Sequence, residues 1–143
     1  MIRVSTRGRY ALRAMVDLAI NADGEPVLRQ EIAERQGISA DYVAQLFRPL
    51  HKAGLVESVK GPGGGYHLAR DAAEITAGDV VRAVEGPVAV VHCTLPGDDS
   101  CERASQCVTH LLWKRLSTVM TEFLDSVTLQ DLGNEAKQLQ EEA

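Results

Sequence analysis

Apolar and polar positions alternate with distinct periods along this chain, and the period changes several times. Tyr10, Ala11, Ala14, Met15, Leu18 and Ala19 share one face at 3.6-residue spacing, which predicts a helix from near Ser5 to about Asn21. The turn residues Asp23-Gly24-Glu25-Pro26 end it, and Val27-Leu28-Arg29 reads as a short extended piece or a lead-in to the next helix. A short helix over Gln30–Gln36 turns Ile32 and Ala33 inward. Gly37 comes next, where a tight turn needs a positive φ, Ile38 packs under it, and Ser39 caps a second helix with Val43 and Leu46 facing the core. Small Ala33 lets the two helices approach. These are the steric needs of a helix-turn-helix, although an ordinary helical hairpin meets them too.

The elements after this helix pair separate the two possibilities. Pro49 predicts a kink or stop in the second helix, and Gly54 is placed to cap its end. Val56-Glu57-Ser58-Val59-Lys60 then alternates as a strand does, a tip of Gly61-Pro62-Gly63-Gly64-Gly65 comes next, and Tyr66-His67-Leu68 returns. A hairpin directly after a helix-turn-helix is the wing of a winged helix, so the order of elements points to DNA. The glycine-rich tip is not a nucleotide loop, because no Gly-Lys-Ser/Thr follows it and no helix opens from it. Small residues there let the backbone approach a groove, with Lys60 adding a charge at its base.

Thr76 caps a further amphipathic helix that runs to about Val84, and Gly86-Pro87 breaks it. From about Ser105 to Val127 the helical pattern resumes. Val108, Leu112, Leu116, Val119, Phe123 and Val127 recur in steps of four and three, near the heptad of a coiled-coil seam, with Leu111, Trp113, Met120 and Leu124 flanking. So apolar a helix at the end of a small domain predicts packing on a second copy. Thr128-Leu129-Gln130-Asp131 resembles a capping box that opens one last short turn, and Gly133–Ala143 reads as a frayed, solvated tail.

Composition adds two points. The net charge of −5 is unevenly spread: residues 1–70 hold ten Lys/Arg against seven Asp/Glu (+3), while residues 71–143 hold five against thirteen (−8). That asymmetry leaves room for a basic surface on the helix-turn-helix half. No apolar run approaches the ~18 residues of a membrane span, and the apolar positions near the N-terminus are broken by arginines and Asp17 rather than forming a signal peptide. The expectation is a cytoplasmic protein with no membrane partner.

The chain's three cysteines, Cys93, Cys101 and Cys107, lie within fifteen residues. An odd number in a cytoplasmic protein argues against a disulfide framework, and the polar stretch Pro96-Gly97-Asp98-Asp99-Ser100 between them argues against simple burial. A helix beginning near Ser105 would put Cys107 and His110 on one side, a turn apart, as two ligands of one centre. Three thiolates and an imidazole suit zinc or an iron–sulfur cluster. The wide Cys-x7-Cys-x5-Cys spacing favours the larger core of a cluster over a zinc knuckle, with a thiol switch as a third reading. His51 and His92 lack such company and read as ordinary surface or core histidines.

With these elements in place, the chain resembles the IscR-type winged-helix transcriptional regulators, a family that includes NsrR, RirA and CymR. The resemblance covers nearly all of residues 1–132. Its carriers are Ser5-Thr6-Arg7-Gly8-Arg9-Tyr10-Ala11, Ile32-Ala33-Glu34-Arg35-Gln36-Gly37-Ile38-Ser39, Lys60-Gly61-Pro62-Gly63-Gly64-Gly65-Tyr66 and Ile75-Thr76-Ala77-Gly78-Asp79-Val80. It implies a homodimer whose long C-terminal helices cross, with recognition helices in successive major grooves of a palindromic promoter site and wings in the minor groove. Ser39, Asp41, Tyr42, Gln45 and Arg48 would then lie on the recognition helix, and Lys60, Gly63 and Gly64 on the wing. Gln45 and Arg48 have side chains suited to base edges, while Ser39 and Tyr42 suit phosphates, as do Ser5, Arg9 and Tyr10. Cys93, Cys101 and Cys107 would hold a 2Fe–2S cluster with His110 as fourth ligand, and cluster-assembly proteins join the expected partners. The implied activity is a regulator, of the repressor kind, that senses iron–sulfur status, redox or nitric oxide. Two departures stand out. The first cysteine gap holds seven residues where IscR-type proteins usually have five, leaving room for a longer loop. Ala44 stands where some relatives carry an acidic residue, which bears on the DNA sequence read.

The expected architecture is thus mainly α with a small β-hairpin. Residues 1–86 form a winged helix-turn-helix domain, 87–110 a cysteine-bearing loop, 105–132 a dimerisation helix with its last turn, and 133–143 a flexible acidic tail. Zinc or a thiol–disulfide switch in place of the cluster is one rival. An iron–sulfur carrier or electron-transfer protein that uses the winged fold only for docking is the other. The sequence holds no nucleophile–base arrangement, no paired carboxylates in a marked context and no nucleotide loop, which argues against an enzyme.

Overall fold

The computed structural model describes residues 2–99 and 101–143; the Ser100 end of the polar stretch lies outside the described residues. Among the described residues, six helices and three strands come in the order α1 (Thr6–Asn21), β1 (Val27–Leu28), α2 (Arg29–Gln36), α3 (Ala40–Lys52), β2 (Val56–Val59), β3 (Gly65–Leu68), α4 (Ala77–Glu85), α5 (Val108–Asp125) and α6 (Leu129–Glu142). Short 3-10 turns at Ala72–Glu74 and His92–Thr94 complete it. The fold is mainly helical with a winged helix-turn-helix, as the periodicities predict. None of the described helices is long and apolar enough to cross a membrane.

Local chemistry accounts for most boundaries. The Ser5 hydroxyl accepts from the Gly8 N–H (3.1 Å) to open α1, and Ser39 accepts from Tyr42 N–H (3.0 Å) to open α3. Gly37 adopts φ 68°, and its N–H closes α2 on the Ala33 carbonyl. Thr76 with Asp79, and Thr128 with Asp131, form reciprocal capping boxes at α4 and α6. The extended piece at Val27–Leu28 becomes an edge strand. It pairs antiparallel with β3, giving the sheet order β1-β3-β2.

One core joins these elements. Ala11, Ala14, Met15 and Leu18 of α1 meet Ile32, Val43, Leu46, Phe47 and Leu50 of the helix-turn-helix, Val56 and Tyr66 of the wing, Ile75, Val80 and Leu129. Under it, the buried carboxylate of Asp17 accepts from Arg35 Nε (2.9 Å) and Nη2 (2.8 Å) and from Gln36 Nε2 (2.9 Å). This pairing fastens α1 to α2 and satisfies a charge that burial would otherwise penalise.

Three expectations are corrected. Of the kink or stop expected at Pro49, the stop does not occur: helix α3 runs through Pro49 to Lys52. Leu46, Phe47 and Leu50, all fully buried, anchor the chain on both sides of the proline and offset its lost hydrogen bond. Helix α5 begins at Val108, so Cys107 is its N-cap residue rather than part of its first turn, and the helix ends at Asp125 before Val127. The last turn after Thr128 extends into the fourteen-residue α6, which carries the segment read as a frayed tail as far as Glu142. Leu129 and Gly133 bury that helix against the α1 side, where Ile20 lies 3.7 Å from the space a Gly133 side chain would take. Packing, not propensity, sustains it.

Candidate DNA interface and cysteine site

Helix α3 divides cleanly. Val43, Leu46, Phe47 and Leu50 face the core, while Asp41, Gln45 and Arg48, spaced by four and three, stand exposed on the opposite side. Ser39 and Tyr42 sit at its N-terminal end, where the positive end of the helix dipole favours a phosphate. The Tyr42 ring meets the Tyr10 ring edge-on at 6.0 Å, and the Arg13 guanidinium lies 4.7 Å over Tyr10. The start of α1, with exposed Ser5 and Arg9, thus adjoins the start of α3. The structure brings together the residues expected on DNA from two separate stretches of sequence.

The wing is fixed to this helix through an aromatic stack. Phe47 of α3 and Tyr66 of β3 lie parallel with centroids 4.2 Å apart. Arg29, not singled out in the sequence, donates from Nε to the Tyr66 hydroxyl (3.3 Å), and its guanidinium passes beneath the wing tip at Gly64. Gly61, Gly63 and Gly64 have positive φ, and the Gly64 N–H returns to the Gly61 carbonyl at 3.1 Å. At Gly64 (φ 60°) a side chain would also press on Arg29, so glycine is needed there twice over. Lys60 is exposed at the base.

In the cysteine segment, Cys93 lies in the 3-10 turn His92–Thr94, and its Sγ stands 3.3 Å from His110 Nδ1 in the first turn of α5. Cys107 contacts the Thr109 hydroxyl at 3.1 Å. That hydroxyl first, then the backbone N–H of His110, hold the Cys107 thiol below its ordinary pKa against a smaller opposing effect of burial, and the nearby Arg103 adds the least. All three cysteines are free and half-buried. Among the described residues no three His, Cys, Asp or Glu side chains are close enough to share one metal ion. The structure therefore forms the Cys93–His110 pair, while Cys107 stands apart from it at the helix cap and Cys101 remains in the connecting loop. The donor chemistry fits an iron–sulfur centre or zinc: three free, half-buried thiols, one with a lowered pKa, and an imidazole within contact of another.

Helix α5 has Ser117 as its only buried residue among those described. Val108 (77% exposed), Leu111, Leu112, Val119 and Phe123 (65%) leave an apolar face open along its length. Its far end is tied to α4, where Arg82 Nη2 bridges Asp125 (2.8 Å) and Asp79 (3.2 Å).

A recognition helix capped at Ser39, a wing locked to it and a shared apolar core define a winged-helix DNA-binding protein. The family model of the Rrf2 iron-dependent transcriptional regulators matches residues 4–135, and the chain belongs to that family. It is 47% identical over 133 residues to the HTH-type transcriptional regulator IscR of Escherichia coli O1:K1, an alignment covering 93% of this chain and 81% of the relative. Among solved structures it is similar to T. potens IscR, with a TM-score of 0.77 and 41% identity across 96% of this chain and 90% of that one. The B. subtilis global cysteine regulator CymR gives a TM-score of 0.75 and 38% identity across 94% and 98%. This chain is a DNA-binding transcriptional regulator and not an enzyme.

Proposed function

We propose that the chain works as a homodimeric repressor that carries a 2Fe–2S cluster on Cys93, Cys101, Cys107 and His110 and changes its grip on promoter DNA with the state of that centre. The observation that carries this reading is the Cys93 Sγ–His110 Nδ1 contact of 3.3 Å. It attaches the cysteine segment to the first turn of the very helix that offers an apolar face to a second copy. When bound, such a cluster supplies one-electron redox chemistry and a centre open to oxidation, nitric oxide or iron loss. The names of the IscR relatives and the description of the family as iron-dependent favour the same assignment.

On DNA, Asp41, Gln45 and Arg48 face the bases of a major groove. Ser39, Tyr42, Ser5, Arg9 and Tyr10 take phosphates, and Lys60 with the Gly63 and Gly64 backbone takes the minor groove. Two recognition helices of a dimer must stand ~34 Å apart to enter successive major grooves. Helix α5 joins the cysteine segment at one end to α4 of the DNA-binding body at the other, so a change at Cys93–His110 re-aims the two bodies. A linkage of ~1–3 kcal/mol between the sites suffices for regulation. Cluster-assembly proteins are the partners that load the thiols.

A second reading, zinc or a thiol switch on the same cysteines, is favoured by the lowered Cys107 pKa and the separation of Cys101 and Cys107 from the formed pair. An absorption spectrum of protein purified without oxygen, with iron and sulfide counted, decides between them. Visible charge-transfer bands with about two of each per chain support the cluster. A protein that stays colourless after reconstitution moves the cysteines to zinc or thiol chemistry.

A further inference from the structure

The one buried residue of α5 among those described is polar. Ser117 is 7% exposed in a helix whose Val108, Leu111, Leu112, Val119 and Phe123 stand in solvent. A buried hydroxyl is retained where it bonds something that matters to place. The Ser117 hydroxyl accepts from the Val90 N–H at 3.2 Å and meets Thr94 Oγ1 at 3.5 Å. The Thr94 proton is already given to the Val91 carbonyl at 2.8 Å, so the proton between the two hydroxyls comes from Ser117. Ser117 thus grips the chain on both sides of Cys93, three residues before it and one after. It also lies seven residues beyond His110, two turns along the same helix face and about 10 Å away along the axis.

We propose that Ser117 is a positioning residue: it docks the segment Val90–Thr94 on α5 and thereby holds the Cys93 thiol against His110. For the centre itself the inference rests on the cluster reading, because only there does the Cys93–His110 spacing become a ligand spacing. The placement of Cys93 does not depend on that reading. A serine serves here because its one short hydroxyl accepts from a backbone N–H and donates to Thr94 at once. Alanine would leave the Val90 N–H without its partner and release the turn.

The test uses full-length Ser117→Ala, Ser117→Thr and Thr94→Val. In reduced, cluster-free protein, alkylation of Cys93 by iodoacetamide is followed by peptide mass spectrometry, with Cys107 as internal reference. Loss of one hydrogen bond to the docked segment should raise the Cys93 rate about fivefold in Ser117→Ala, with Cys107 unchanged. Ser117→Thr, which keeps the hydroxyl, should return towards the parent rate. Thr94→Val, which leaves α5 intact, should shift Cys93 in the same direction and decides the matter should Ser117→Ala fail to fold. An unchanged Cys93 rate in Ser117→Ala, or in Thr94→Val where that variant decides, overturns the proposal. Equal acceleration at Cys93 and Cys107 would do so too, since it reports general loosening. In anaerobically reconstituted protein, Ser117→Ala should alter the visible circular dichroism of the centre and lose iron to a chelator severalfold faster, with Ser117→Thr restoring both. If the parent chain takes up no cluster, the cluster reading fails by itself, and the alkylation rates still stand or fall on Ser117.

Discussion

Phe47 of the recognition helix lies stacked on Tyr66 of the wing, the two rings 4.2 Å apart and 18° from parallel. Both are buried, at 1% and 4% exposure, so the two DNA-facing elements share one piece of core. A wing attached in this way moves with its helix. Phe47→Ala should cost about 3–5 kcal/mol in urea unfolding, the range for emptying a large aromatic site. Tyr66→Phe keeps the stack but drops the Arg29 bond, and should cost about 1 kcal/mol.

The Asp17–Arg35 pair ties α1 to α2 through a charge that has little water to fall back on. Asp17 is almost wholly buried, and its carboxylate depends on Arg35 and Gln36. Arg35→Ala leaves that carboxylate short of its bidentate partner and should destabilise the chain by about 2–3 kcal/mol. Bonding to Asp17 raises the Arg35 pKa against a smaller effect of burial. A raised pKa on a base places its stabilisation at every pH below the unfolded value, to be lost only as pH climbs through the raised one. The cost of Arg35→Ala should therefore be the same at pH 7 and pH 9. A cost that vanished by pH 9 would contradict the pairing.

At the joint between α4 and α5, Gly78 leaves room for the Asp125 carboxylate to reach Arg82. A side chain there would run into the Asp125 carboxylate, which Arg82 holds in place. Gly78→Ala should cost about 1 kcal/mol by turning the Asp125 carboxylate away from Arg82, and thermal unfolding of the variant against its parent checks it. Because α5 is the lever in the proposed switch, the same variant should weaken the difference in DNA binding between the two states of the cysteine site.

Phe123 and Val119 stand exposed on α5 in a face that a second copy would cover. Phe123→Glu with Val119→Glu should convert a dimer to a monomer in sedimentation equilibrium, and affinity for a palindromic duplex should fall with it. A monomeric parent chain would remove the dimer from the account.

Much of this was legible from residue patterns because the signals were local. Ser39, Gly37, Thr76 and Thr128 each announce a boundary through their own backbone chemistry, and each forms the cap or turn expected of it. Where tertiary packing outweighed local rules, the reading failed. Buried Leu46, Phe47 and Leu50 carry α3 past Pro49, and contact with α1 sustains α6 beyond Thr128. At the candidate sites, the family resemblance named Asp41, Gln45 and Arg48 for the recognition helix, and all three stand exposed on α3. Sequence spacing did not reveal Arg29 under the wing or Ser117 behind Cys93, because neither lies near its partner in sequence and each is an ordinary residue until its neighbours are known. For Cys107 and His110, the periodicity put both within one helix. The cap at Cys107 instead leaves His110 facing Cys93, seventeen residues away.

The central claim is that the cysteine site and the DNA-binding face share one equilibrium. The direct measurement is the affinity for a palindromic duplex, selected from a random pool by the cluster-loaded chain, before and after the cluster is stripped from the same preparation at fixed salt. The account predicts a change of at least about fivefold, abolished in Cys93→Ala. Equal affinities in the two states, for a protein shown to hold the cluster, would contradict it.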